Sequence, residues 1–147
     1  MDTRRLVAGT LVGGIILYAV GYLIFNVAFA AFYAANAGSA TGVDRASPLV
    51  WAGVLASLSY AALVTLAIAN RAGSPTIGAG VMIGAVVGFL VWFTADFAIY
   101  DFMNVQNLTR TVVDPLLEAV HGGIGGGVIA VVLAKIPASG RREDHPK

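Results

Sequence analysis

Four apolar stretches, each long enough to cross a bilayer, decide what this chain can fold into. They run from about Leu6 to Ala35, Leu49 to Ala69, Thr76 to Tyr100 and Val112 to Ile136. A helix rising 1.5 Å per residue needs roughly 20 residues to span the hydrocarbon core, and each stretch has at least that many. The first is long enough to tilt or to project beyond the bilayer. The expectation is an all-α integral membrane protein, a four-transmembrane-helix bundle forming a single membrane domain over residues 1–147. The charged tail from Pro137 to Lys147 is expected to be disordered, with His145 solvated.

Composition agrees. Hydrophobic residues make up 58% of the chain and charged residues 12%, against roughly 45–50% and about 25% in soluble domains. There is no cysteine, which removes disulfides, thiolate metal sites and a nucleophilic thiol. A net charge of +1 spread along the chain offers no nucleic-acid surface. No cofactor is indicated, and the partner the composition implies is the lipid bilayer.

Arg4-Arg5 before an apolar run, with Ala35-Asn36-Ala37 after it, has the outline of a cleaved signal peptide. The run is about twice the usual 7–15 residue apolar core of such a peptide, so it reads as a retained helix. Counting basic residues then sets orientation. Arg4, Arg5, Arg71, Lys135, Arg141, Arg142 and Lys147 fall on one side, and Arg45 and Arg110 on the other. The positive-inside rule puts both termini in the cytoplasm of a cell whose inner membrane holds the protein.

At an offset of 68 residues, Phe25, Phe29, Ala30 and Asn36 fall on Phe93, Phe97, Ala98 and Asn104. The match fits a parallel 2+2 repeat, a plan used by some transporters. It equally fits coincidence among residues common in spans. Glycines recur at intervals of four: Gly9 and Gly13; Gly80, Gly84 and Gly88; Gly122 with Gly126; Gly123 with Gly127. Such small faces let helix backbones approach closely, either within one chain or at the seam of a homodimer. No Gly-Lys-Ser or Gly-Lys-Thr follows a glycine run, so a phosphate loop is not indicated.

Five charges cluster at one end of the last two spans: Asp96, Asp101, Arg110, Asp114 and Glu118, with His121 a turn further on. Charge near a bilayer is costly and is retained with a partner, a wet cavity or a task. Asp96 comes roughly 30 Å along the third helix, near the outer face, and His121 lies on the order of 9–14 Å below the start of the fourth. Asn26 reaches a similar level on the first. Trp92, Asp96 and Tyr100 share a face by i, i+4 spacing, as do Asp114, Glu118 and His121 by i, i+4, i+7. Asp96, Tyr100, Glu118, His121 and Asn26 are therefore the ligand-binding or proton-carrying candidates.

Structural roles compete with this reading. Asp114-Pro115 reads as a helix N-cap followed by proline, with Glu118 in the favourable first turn. Asp101 and Arg110 read as a solvated loop pair, Asn104 as a loop residue, and Trp92 and Tyr100 as interfacial aromatics. Glu118-Ala119-Val120-His121 has the Glu-x-x-His spacing of carboxylate-bridged metal bundles. Such sites need a second motif, and only Asp96 and Asp114 are at hand. A His121 hydrogen-bonded within the bundle is the simpler reading.

Tyr100-Asp101-Phe102-Met103-Asn104, then Leu108-Thr109, then Thr111-Val112-Val113-Asp114 opening a glycine-rich last helix, resembles small four-helix bacterial membrane proteins grouped only as domains of unknown function. Their signature is Tyr-Asp-x-x-Asn at the end of the third helix. Gly21-Tyr22-Leu23 and Phe32-Tyr33 fit the group's first helix. The group often carries an acid and a tryptophan there, where this chain has residues such as Gly21 and Ile24. The resemblance implies the fold and the positions Tyr100, Asp101, Asn104 and Asp114, but no activity.

Three functions are compatible with these residues. One is binding or transport of a small molecule or ion, with protons, through a vestibule lined by Asp96, Glu118 and His121. Another is a structural or accessory subunit locked by its polar layer. The third is a membrane enzyme acting on a lipid or quinone; here no nucleophile with a positioned base is apparent, since Ser57 and Ser59 lie on another helix.

Overall fold

The computed structural model describes residues 2–71 and 74–136. Part of the tight turn (Ala72, Gly73), the tail and His145 lie outside the described residues. Helix α1 (Thr3–Gly21) runs into a π-helical segment (Tyr22–Ala28) and a short α2 (Ala30–Ala35); α3 (Val50–Ala69), α4 (Ile77–Phe102) and α5 (Leu108–Lys135) follow. With the π-helical segment counted as part of the first, four helices are long and apolar enough to cross a membrane. They form a four-helix bundle, and α5, the most buried, touches the other three long helices.

Glycine decides how α4 meets α5. A Cβ at Gly80 would strike the Gly126 carbonyl, one at Gly84 the Gly122 carbonyl, and one at Gly88 the Glu118 carbonyl. The two backbones are therefore in contact in a fixed antiparallel register, with small residues supplying the van der Waals fit. Gly9 lies against Thr65, and Gly13 against Ile129 and Ala61, in the same way. All these glycines are buried within the one chain. Leu17, Ala61, Val64, Ile68, Ile129 and Leu133 fill the core around them. This half of the bundle, nearer the termini, is closed.

Two expectations are corrected at the other end. The first apolar stretch is not one helix. The Phe29 N–H bonds the Ile24 carbonyl at 2.9 Å, five residues back, and Phe29 leaves helical geometry at φ −110° and ψ 12°. An i→i−5 turn holds one residue more than an α-turn and sets later side chains back around the axis. That offset brings Tyr33 edge-on to Phe25, with ring centroids 5.7 Å apart, and both toward α5. In the second half α4 stays α-helical through residues 90–96, so the proposed repeat is not regular.

The last helix begins four residues earlier than its apolar stretch. Asn107 is its N-cap, accepting the Arg110 N–H at 3.0 Å. Asp114 is therefore not the cap, and Glu118 is not in the first turn. Pro115 sits inside the helix. Arg110 belongs to the first turn rather than to a loop pair with Asp101, which is exposed on the final turn of α4. The polar stretch Leu108–Thr111 is helical because Asn107 caps it and the Thr111 hydroxyl bonds back to the Asn107 carbonyl at 2.9 Å.

The register of α4 against α5 predicts a contrast between two glycines. Gly84→Ala should destabilise the detergent-solubilised protein by roughly 1–3 kcal/mol, the usual range for overpacking. Gly78→Ala, where an added Cβ meets nothing within 4 Å, should be neutral or slightly stabilising. Thermal unfolding midpoints would measure both, and equal midpoints would refute the close contact.

Candidate functional site

The glycine row continues into the polar row. On α4, steps of four lead from Gly80, Gly84 and Gly88 to Trp92 and Asp96; on α5 they lead from Gly126 and Gly122 to Glu118, Asp114 and Arg110. The same register that puts Gly88 on Glu118 brings Trp92 level with Asp114 and Asp96 level with Arg110. Backbones in contact at the glycines must part where side chains this large begin. A cavity of about 960 Å³ opens at that point, its walls including Trp92, Asn26, Tyr33, Arg110, Asp114 and Glu118.

Two linked clusters lie along it. In the first, Asp96 is 3% exposed, and the Gln106 amide donates to its carboxylate Oδ1 and its carbonyl, both at 3.3 Å, and to the Thr111 hydroxyl at 3.1 Å. The Asp96 Oδ2 finds no donor among the described residues, and the Asp114 carboxyl is its neighbour. Two carboxyl groups at one site require a shared proton or a cation beside them. The Tyr33 hydroxyl donates to Asp114 Oδ1, and the Arg110 guanidinium lies 4.8 Å from the centre of the Tyr33 ring.

In the second cluster, His121 Nδ1 and Glu118 Oε2 are 2.8 Å apart, and His121 Nε2 is 2.8 Å from the Leu17 carbonyl. A carbonyl can only accept, so Nε2 carries a hydrogen and a single proton lies between Nδ1 and the Glu118 carboxyl. The imidazole is held edge-on between Phe25 and Tyr60, at 5.6 and 5.7 Å between centroids. Gly21 makes this approach to α1 feasible, since a Cβ there would come within 3.2 Å of the ring. This ion pair or acid–imidazole bond closes the floor of the cavity against the core below.

The loops roof the site. The Asn107 N–H bonds the Asn36 carbonyl at 3.1 Å and the Ala40 N–H bonds the Asn104 carbonyl at 2.9 Å, flanking an antiparallel bridge between Ala37 and Gln106. Asn36 and Asn104, equivalent at the 68-residue offset, thus each accept a backbone N–H from the other half. Asn104 also bonds Ser39.

Of the five candidates, Asp96, Glu118 and His121 are buried in these clusters. Asp96 pairs with Asp114 and Gln106, however, while Glu118 pairs with His121. Asn26 lines the cavity without a side-chain hydrogen bond among the described residues. Tyr100 is 42% exposed and lies outside the site. The register that sets Gly88 on Glu118 would put Tyr100 opposite residue 106, before α5 begins at Leu108. Among the described residues no three His, Asp or Glu side chains converge as a metal shell. Sequence reasoning did not find Tyr33, Gln106 or Tyr60. Gln106, an uncharged residue in a polar linker, gave no signal, and the Leu17 carbonyl is backbone.

A second cavity of about 350 Å³ lies beside the first and shares Trp92 and Glu118 with it; Ser57, Ser59, Tyr60, Leu63 and His121 are among its walls. Comparison with protein-family models, curated proteins and solved structures gives no match.

Tyr33 lies beyond the membrane-spanning part of the first helix. Its hydroxyl is held above the usual tyrosine range, first by burial, then by its bond to Asp114 and the charges of Asp114 and Glu118, with Arg110 opposing. A folded value raised above the unfolded one means that the contribution is complete below about pH 10 and is lost as pH rises past it. A difference titration of wild type against Tyr33→Phe, followed by phenolate absorbance, should show no ionisation of Tyr33 near pH 10. Ordinary titration there would contradict the buried bond to Asp114.

Proposed function

We propose that this is a multi-pass protein of the bacterial cytoplasmic membrane, with both termini in the cytoplasm, that takes a proton or small cation into an acidic layer near its outer face as the loading step of transport. The observation that carries this reading is the open cavity that reaches Asp114 and Glu118, with Asp96 behind them. Three acids meet only two basic side chains. Arg110 is stacked on Tyr33, and His121 is engaged by Glu118. A proton or cation is the charge that completes the layer.

Basic residues support the orientation. Arg4, Arg5, Arg71 and Lys135 lie toward the end that holds the termini, and Arg45 and Arg110 toward the cavity. The resemblance around Tyr100, Asp101 and Asn104 fits a bacterial membrane protein and adds no activity. A polar layer that served only to lock helices would be closed to water, whereas Asp114 and Glu118 line an open cavity. An enzyme would need a base on Ser57 or Ser59, and both His121 nitrogens are already engaged. The closed core below His121 corresponds to a state open to the outside only.

Proteoliposomes holding a pH-sensitive dye, energised by a valinomycin-clamped potassium gradient, test this reading. Wild type should acidify the lumen, and Asp96→Asn, folded by circular dichroism and gel filtration, should lose at least about tenfold of that rate. An unchanged rate in Asp96→Asn would sink the proton-carrying role.

A further inference from the structure

We propose that the cavity between α3 and α4 is a second entrance to Glu118, open sideways to the bilayer, and that it binds a lipophilic cation: an ammonium or phosphonium centre carrying apolar groups. It concerns a different cavity and ligand from the vestibule and stands whether or not the vestibule conducts protons.

The opening follows from packing. Helices α3 and α4 touch each other only lightly, since each is committed to another neighbour, α1 and α5 respectively. Between them lies the cavity of about 350 Å³, within the range of small-molecule sites. Its mouth is bordered by Leu63 and Val91, 44% and 41% exposed and both well inside their spans. These are surfaces that hydrocarbon covers, so a ligand arriving this way comes from the membrane.

Its inner end is polar and acidic. Glu118 is 4% exposed; Oε2 is taken by His121, and its other oxygen accepts no hydrogen bond from any described residue. Trp92 and Tyr60 stand beside it. The Tyr60 hydroxyl is wedged where a Cβ on Gly88 or Gly122 would lie, which fixes the ring in place, and it has no hydrogen-bond partner among the described residues. Aromatic rings next to a desolvated carboxylate attract a cation whose substituents are apolar. An anion would face the carboxyl groups of Glu118 and, behind it, Asp114, and a neutral lipid would offer nothing to the Glu118 oxygen that His121 does not engage.

The test uses the full chain in nanodiscs, titrated with tetraphenylphosphonium by calorimetry over a protein-free nanodisc baseline. Tetraphenylborate, of nearly the same shape and opposite charge, and tetramethylammonium, a cation without apolar bulk, are the controls. Saturable binding of tetraphenylphosphonium at one site is expected, weakened about tenfold or more in Glu118→Gln and in Trp92→Ala, a loss of at least about 1.4 kcal/mol. Should Glu118→Gln fail to fold, Leu63→Trp, at the mouth, must weaken binding by a similar factor. Undiminished binding in a folded Glu118→Gln or in Leu63→Trp would overturn the proposal. So would equal affinity for tetraphenylborate, or for tetramethylammonium, which would place the ligand in the vestibule instead. Intact tetraphenylphosphonium binding with a silent dye assay would count against the proton-transport reading alone.

Discussion

Contact between the backbones of α4 and α5 fixes everything above it. With glycine at three successive four-residue steps on α4 and two on α5, the helices are pinned in one antiparallel register. In lipid there is little hydrophobic force to drive helices together, so this fit of small faces does the work that a greasy core does in water. The same rows then change character. Trp92, Asp96, Glu118 and Asp114 continue the line of the glycines, and side chains of that size cannot occupy a gap made for none. The bundle opens where they begin, and Asp114 and Glu118 are thereby placed at the wall of a cavity, with Asp96 buried behind them.

His121 marks the boundary between the closed and open halves. It spans from α5 to α1 through the Leu17 carbonyl and holds Glu118 on its other side, which fixes its tautomer and leaves one proton to be shared with the acid. Below it the core of Leu17, Ile129 and Leu133 is closed. Above it, the π-turn of the first helix and the Asn36 and Asn104 contacts fold α2 and its loop over the acids. The two cavities meet at Glu118 and Trp92, so one carboxyl group lines both.

The bundle was legible because apolar run length is set by bilayer thickness and is written directly in the residues. The extents of α3 and α4 differ from their apolar stretches by a residue or two. The start of α5 was not legible from hydropathy, because Leu108–Thr111 is polar and owes its helix to the Asn107 cap. Nor was the break at Phe29, since an unbroken apolar run carries no mark of an i→i−5 turn. For the site, Asp96, Glu118 and His121 stood out because charge in a span is expensive. Tyr100 misled, since a shared face on α4 does not show how far along it α5 reaches, and α5 begins only at Leu108. The link between the glycine row and the acid row was present in the numbering from 80 to 96 but acquires meaning only once α5 is seen to carry the matching row. Tyr33 and Gln106 were invisible because ordinary polar residues near a loop gain a role only through the neighbours that folding gives them.

The chain has no cysteine, so single cysteines can be placed along α5 without background and probed with a charged thiol reagent in nanodiscs, where both faces are accessible. Reaction at Arg110→Cys, Asp114→Cys and Glu118→Cys, together with protection at Ile129→Cys and Ala130→Cys, is the pattern expected if the bundle parts where glycine gives way to larger side chains. Uniform protection from 110 to 130, or labelling that continues into the glycine half, would contradict it.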